Sequence, residues 1–306
     1  MSRCDDDRLV DSGSGRKLEQ LGGILVDRPS PAARGVSRSS PLWSDAAVAF
    51  QSHSESGGEW VIRKPLPTSW SASVAIGAQT ITLGLRLAPS GQIGVFPEQF
   101  KQWQWLHRVV RPGARMLSLF AHTGGASLAM AAAGAHVIHV DASRQAIATA
   151  KANAKASGLT ETSIQWAFDD VPSFVARQIR RGRTFDGVVL DPPSWGHGPK
   201  GEAFAIDRDL DPLLRLLATV CDLSRGPWLI TSHSPQWNAV RLSSAIANAI
   251  ADAGSTINDL CVQSLAPVTQ PISQSLSSSS GIESGRLECV DDAGRPLEFG
   301  AFARRG

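Results

Sequence analysis

Between Met116 and Asp141 the chain passes from an apolar run, through a glycine turn and an alanine-rich stretch, to a second apolar run closed by a carboxylate. Met116 to Phe120 is short, apolar and stops at a turn, as a buried strand does. Ala126 to Ala133 is made of helix formers, and Val137 to Val140 returns to largely β-branched residues. That order of strand, helix and strand is a parallel crossover unit. Gly124 and Gly125 fall at the strand-to-helix turn, where missing side chains let backbone approach a ligand and the first amides of a helix offer donors. Asp141, closing the second strand, is placed to accept hydrogen bonds from two vicinal ribose hydroxyls. Together these features point to an adenosine-containing cofactor.

A dinucleotide fingerprint spaces its glycines as G-x-G-x-x-G, and His122-Thr123-Gly124-Gly125-Ala126 lacks that spacing. S-adenosylmethionine carries no pyrophosphate and has less need of the third glycine, so this turn favours it over NAD. Two readings compete: glycines that merely make a tight turn, and an NAD(P)-dependent oxidoreductase.

A chain of 306 residues can bury a substantial core. A formal net charge of +2 permits a nucleic-acid partner without arguing for one. The four cysteines, Cys4, Cys221, Cys261 and Cys289, have no C-x-x-C spacing, so no zinc site, other metal site or disulfide framework is expected. No apolar run is long enough to span a bilayer, and Met1 to Asp7 lacks the apolar core of a signal peptide. The expectation is a cytoplasmic protein without a membrane partner.

Residues 1–10 are polar and expected to be a loose tail. A small β-rich unit is expected over 11–90, with strands at Gly23 to Val26, Trp60 to Ile62 and Thr80 to Leu87, and a loop rich in Pro, Ser and Arg from Pro29 to Pro41. A catalytic domain should fill 91–306. It opens with Gly94-Val95-Phe96-Pro97-Glu98-Gln99 and a helix over Pro97 to Val110, which can close over the cofactor.

After Asp141 the alternation continues: helix Ser143 to Ser157, strand Ile164 to Phe168, helix Phe174 to Arg181 and strand Phe185 to Leu190. Then come helix Leu213 to Cys221, strand Trp228 to Thr231, helix Leu242 to Ala253, and strands near Thr256 to Val262 and Leu297 to Ala303. Ser273 to Gly281 is serine-rich and expected to be a loop insertion. The fold class is α/β, a Rossmann-like sheet with helices on both faces. Each strand delivers a polar residue at its carboxyl end, the edge where open parallel sheets bind ligands. Gly124, Asp141, Asp170, Asp191 and His233 should converge there.

Asp170 can accept from an adenine amino group, or it can simply cap a helix. Asp191-Pro192-Pro193-Ser194-Trp195 is a rigid turn whose carbonyls no following helix can pair, so they and Asp191 should face the cleft. A base turned out of its stack could bond to these acceptors and stack on Trp195. The loop Gly196 to Glu202 is expected to be flexible, with Lys200 a candidate phosphate contact, and His233 a candidate proton acceptor.

Leu119-Phe120-Ala121-His122-Thr123-Gly124-Gly125, His139-Val140-Asp141-Ala142-Ser143, Asp169-Asp170-Val171 and Leu190-Asp191-Pro192-Pro193-Ser194 resemble the class I S-adenosylmethionine-dependent methyltransferases of the bacterial ribosomal RNA cytosine-C5 type. The resemblance includes the Gly-x-Phe segment at Gly94 to Phe96 and covers about residues 90–235. It implies a cofactor site made by Phe96, Gln99, Phe120, Thr123, Gly124, Gly125, Asp141, Ala142, Asp169, Asp170 and Asp191. It also implies catalytic roles for Asp191 and Pro192 beside the transferred methyl, and RNA as substrate. Pro193, Trp195 and His233 join the catalytic candidates from the reading of the residues themselves. One departure bears on the chemistry: that family carries a cysteine nucleophile after the strand that here ends Thr231-Ser232-His233-Ser234. Carbon 5 of a pyrimidine reacts only after a thiolate adds at carbon 6, whereas a nitrogen acceptor needs alignment and a hydrogen-bond acceptor. Methylation of DNA, protein or a small molecule, and a non-catalytic RNA-binding module, are the remaining alternatives.

Overall fold

The computed structural model describes residues 7–53, 57–159, 163–221, 226–264 and 281–306. The serine-rich stretch is outside this range, apart from Gly281.

Seven strands make the main sheet: β8 (Arg115–Leu119), β9 (His136–Asp141), β10 (Ile164–Phe168), β11 (Gly187–Leu190), β14 (Trp228–Ser232), β15 (Glu283–Val290) and β16 (Pro296–Arg305), in the order β10-β9-β8-β11-β14-β16-β15. The first five are parallel, and β16 and β15 run antiparallel at one edge. Side chains alternate along the strands between two cores. Val189 and Leu229 face the layer of α1 (Phe100–Val109), α2 (Gly125–Ala132) and α3 (Arg144–Ala156), while Val188, Leu190 and Ile230 face α4 (Val171–Arg180), α5 (Ile206–Val220) and α6 (Ala239–Ser264). Strands buried on both faces read as the continuous apolar runs seen in the sequence.

The strand order reverses at β8, between β9 and β11. Leu119 pairs with Val140 and with Leu190, and Leu190 pairs with Ile230. The following residues, Phe120, Asp141, Asp191 and Thr231, therefore form one row along the carboxyl edge. That edge beside the reversal is where a doubly wound sheet opens a crevice.

The N-terminal unit is a five-stranded sheet of β1 (Arg8–Gly13), β2 (Arg16–Leu21), β3 (Ile24–Pro29), β4 (Val48–Ser52) and β5 (Gly58–Ile62). Arg8 to Val10, expected in a loose tail, instead open β1, because pairing to β2 and burial of Leu9 and Val10 outweigh the polar character of the preceding residues. The hairpin β6 (Ser71–Ile76) and β7 (Gln79–Gly84) packs on the helices of the main sheet. Gly84 N donates to Asn153 Oδ1 at 2.8 Å, and Thr82 N to Ser157 Oγ at 2.9 Å. Leu21, Val26 and Val48 share one core with Ile76, Trp103 and Met116, so packing is continuous across residue 90, where turn chemistry suggested a boundary. Turn residues report local backbone, not which faces meet.

Two further expectations are corrected, and one strand was not expected. Thr256 to Val262 lies within α6 and is not a strand; Ala253, Ile257, Leu260 and Cys261 keep a helical spacing, and extending a helix costs less than starting a new element. Residues 196–202 are not a flexible loop alone: β12 (Trp195–His197) pairs antiparallel with β13 (Ala203–Ala205), closing the loop into a hairpin. β15 has no counterpart among the expected strands; its pairing partner β16 and the turn Asp291 to Gly294 create it. Among the described residues no helix is long and apolar enough to cross a membrane, and none cluster to hold a metal.

Candidate active site

The turn after β8 is bent by backbone that side chains rarely adopt. Phe120 and His122 have φ of 53° and 48°, and Gly124 follows at 95°. Left-handed conformations cost of order 1–3 kcal/mol at non-glycine residues and persist where surrounding structure enforces them. The enforcing contacts are present: Ala121 N donates to Val140 O at 3.1 Å, and His122 N donates to Asp141 Oδ2 at 2.7 Å. Asp141 Oδ1 accepts from Ser143 N at 2.8 Å. Both oxygens of Asp141 are thus oriented by backbone amides, each retaining capacity to accept again.

Asp141 lines a cavity of about 580 Å3 at the carboxyl edge of the sheet, together with Phe96, Phe120, Ala142, Asp170, Asp191, Pro192, Pro193 and His233. A narrow chamber of about 50 Å3 adjoins it, sharing Phe96, Phe120, His122 and Asp191, and is lined also by Gln99, Thr123, Gly124 and Gly125. Asp191 stands at the junction with its carboxylate fixed: Thr231 Oγ1 donates to Oδ1 at 2.7 Å and Gln99 Nε2 to Oδ2 at 3.4 Å. Asp170 is both the cap of α4, accepting from Ser173 N at 3.0 Å, and part of the cavity wall.

Two expected residues lie elsewhere. Asp169 turns away from the cavity into an ion pair with Arg177 of α4. Trp195 does not line the cavity; its indole is 63% exposed on β12, against His197 at 4.2 Å between ring centres. Its hairpin neighbours Gly196, His197 and Gly198 do line the wall. Lys200 is exposed at the hairpin turn.

His122 belongs to the site although its residue type alone gave no reason to choose it. Burial holds its imidazole below the ordinary histidine range, opposed by the carboxylates of Asp141 and Asp191, and its ring meets Phe96 at 5.4 Å between centres. Its position one residue before Thr123-Gly124 was the available signal. Phe204 of β13 is a second addition, packed on Phe120 at 4.8 Å between ring centres.

The glycines serve packing more than ligand approach. A Cβ on Gly125 would lie 2.2 Å from Trp103 Cζ2, and one on Gly124 would meet Leu128 and Ala150 at 2.9 and 3.0 Å. Thr123 Oγ1 likewise donates to Gly94 O at 2.8 Å, tying the Gly-x-Phe segment to the turn.

A pocket of this size suits a small cofactor, and its hydrogen-bond acceptors suit an adenosyl group: a pre-oriented carboxylate for vicinal hydroxyls at the end of β9 and a second carboxylate one strand on, at Asp170. Fold and site together define a class I methyltransferase architecture. The chain belongs to the S-adenosylmethionine-dependent methyltransferase family, whose model matches residues 39–235.

Among solved structures, a SAM-dependent methyltransferase from Agrobacterium tumefaciens is 28% identical with a TM-score of 0.81, over 98% of this chain and 90% of that one. Ribosomal RNA large subunit methyltransferase I of Photobacterium profundum is 30% identical over 123 residues, 40% of this chain and 31% of that protein. Its namesake from Aeromonas hydrophila is 36% identical over 84 residues, 27% of this chain and 21% of that protein. These matches span less than a third of the length of either relative.

Proposed function

We propose that this enzyme methylates a base of ribosomal RNA, at a ring or exocyclic nitrogen. The observation that carries the reading is Trp195, an indole left 63% exposed on a hairpin whose adjoining residues wall the cofactor cavity. A large exposed aromatic beside a reactive pocket is a platform for an unstacked base. The names of the Photobacterium and Aeromonas relatives support RNA over DNA, protein or a small molecule.

When bound, S-adenosylmethionine would be held by Asp141, Asp170 and Asp191 and would supply an electrophilic methyl group, with S-adenosylhomocysteine as the leaving product. The chain's own contribution is alignment and charge placement. Asp191, held by Thr231 and Gln99, and the turn at Pro192 and Pro193 form the wall beside which the acceptor would sit. A nitrogen acceptor gives up one proton. His233 Nδ1 lies 3.0 Å from Phe299 O, which can only accept, so the neutral ring carries its proton on Nδ1 and keeps Nε2 as a proton acceptor.

What supports nitrogen over carbon 5 is the state of the thiols. No cysteine lines the cofactor cavity among the described residues. Burial, aided by the Glu98 carboxylate, pushes the Cys289 thiol up to about 12, and burial raises Cys221 too. Neither supplies a thiolate at neutral pH.

Nucleoside mass spectrometry of ribosomal RNA from cells with and without the gene tests the assignment: one methylated nucleoside should vanish and return when purified enzyme acts on the unmodified RNA. Trp195→Ala should raise KM for that RNA by about tenfold or more, since stacking contributes about 1–3 kcal/mol per base, and leave S-adenosylhomocysteine affinity unchanged. Identical modification profiles in the two strains would overturn the reading.

A further inference from the structure

His122 lines both hollows of the active site, the cofactor cavity and the narrow chamber beside it. Its ring is held in place. The backbone is left-handed at φ 48°, its N–H is given to Asp141 Oδ2 at 2.7 Å, and the imidazole lies against Phe96 at 5.4 Å between ring centres.

The charges that face this ring are mainly negative. Asp141 acts on it from the end of β9 and Asp191 from the end of β11, each more strongly than Arg86, which follows β7. Asp170 and His197 line the same cavity, and His233 lies across Phe96, 5.9 Å between the centres of those two rings. His139, earlier on β9, is kept neutral by burial. Burial likewise holds His122 below the ordinary histidine range, so at neutral pH it leaves both neighbouring carboxylates uncancelled. An imidazolium at the same place would offset one of them.

We propose that His122 sets the charge preference of the cofactor site: its neutral ring makes the site favour S-adenosylmethionine over S-adenosylhomocysteine, and uptake of a proton there weakens that preference. The proposal rests on seating the ribose at Asp141 and the methyl beside Asp191. The sulfur is bonded both to the ribose arm and to the methyl, so it is the part of the cofactor that falls between those carboxylates, both of which face His122. S-adenosylmethionine carries a positive charge on that atom, and S-adenosylhomocysteine carries none. Two carboxylates beside a neutral ring attract the charged form, whereas an imidazolium repels it and acts little on the product. A site in the neutral state gives up spent cofactor more readily than fresh, which serves turnover whatever the acceptor.

Calorimetry on the full chain with each of the two ligands, from pH 7.5 down to pH 5, tests this. The ligands share every other titrating group, so the ratio of their dissociation constants isolates the charge on sulfur. His122 gains its proton only below its ordinary value of 6.5. The preference for S-adenosylmethionine should therefore be full at pH 7.5 and fall by about threefold or more by pH 5, part of the effect that a like charge a few Å away commands. His122→Asn should keep the preference seen at pH 7.5 and lose its pH dependence; asparagine tolerates the left-handed backbone that this position requires. A preference that does not change with pH in the wild type, or one that falls equally in His122→Asn, would overturn the proposal. The wild-type series decides the matter by itself if the variant does not fold. Failure of either ligand to bind at pH 7.5 would instead strike the cofactor assignment, and the proposal with it.

Discussion

Two residues of β9, one pleat apart, show how environment sets the role of a polar group. Asp141 is half-buried at the strand's end with both oxygens tethered to amides, a carboxylate prepared to receive hydroxyls. His139 is fully buried two residues earlier. Its Nδ1 meets Ser127 Oγ at 2.9 Å, and Nε2 has no partner among the described residues. Burial, with a smaller push from His122, lowers its pKa from 6.5 to about 3. The unfolded chain therefore takes up a proton near 6.5 that the folded chain refuses, and stability falls as pH drops from that point toward the folded value. Between pH 6.5 and 5 this one group should remove about 2 kcal/mol. Urea unfolding at pH 7 and pH 5 should show His139→Gln losing less stability on acidification than the wild type by that amount; parallel losses would mean that His139 is not the proton-linked group. His122, also lowered, keeps its contribution in both proteins.

At the scale of elements, the helices α1 and α3 reach the turn after β8 because that turn has no side chains in their way. Trp103 of α1 occupies the space beside Gly125, and Ala150 of α3 the space beside Gly124. Gly125→Ala should therefore destabilise the protein by about 1–3 kcal/mol, the usual cost of forcing an extra methyl into a packed core. Denaturant midpoints measure it, and a midpoint equal to wild type would show that the indole moves aside freely. The sequence made this turn visible through its glycines, but not the reason for them, because a spacing of residues carries no information on what packs from a distant segment. The same limit explains the other divergences. The rhythm of β8, α2, β9, α3 and β10 was legible, since strands buried on both faces and alanine-rich helices leave strong local patterns. Asp141, Asp170 and Asp191 were legible as strand-end carboxylates. Asp169 was not separable from Asp170, because successive residues at a strand's end point to opposite sides and only the register decides which reaches the cavity. β15 was hidden because a strand at a sheet edge owes its form to its partner, and α5 begins at Ile206, a turn and more before the expected Leu213, with Pro212 accommodated inside it.

For the whole molecule, the decisive connection joins the two ends of the chain. Arg295, in the turn between β15 and β16, forms ion pairs with Asp291 at 2.8 Å and with Asp11 of β1, and donates to Ser37 O at 2.9 Å. Asp11 is 1% exposed; burial alone would raise its pKa, but hydrogen bonds from Ser40, Trp43 and Ser39 outweigh burial and hold the carboxyl well below its ordinary 3.8. Arg8 adds a second contact to the same turn through Asp292 at 2.9 Å. The N-terminal sheet is therefore fastened to the antiparallel edge of the main sheet, where Lys17 Nζ of β2 also stands over the Phe299 ring of β16, 4.4 Å from its centre. Removing one partner of a buried pair strands the other charge, so Arg295→Ala should cost about 3 kcal/mol, with the discount that the arginine is itself partly exposed. The hydrogen bonds that hold the Asp11 carboxyl down come from Ser40, Trp43 and Ser39 and stay in the variant, so Asp11 remains a carboxylate there and the variant's deficit should be constant from neutral pH down to the ordinary value of 3.8. Hydrogen exchange separates a latch from a local contact. In Arg295→Ala, amides of β1 to β3 and of β15 to β16 should lose protection together, while those of β8, β9 and β11 keep theirs. If protection fell only at the turn around Arg295, the contacts that the variant keeps, Arg8 with Asp292 and the apolar packing, would be enough to hold the two sheets together.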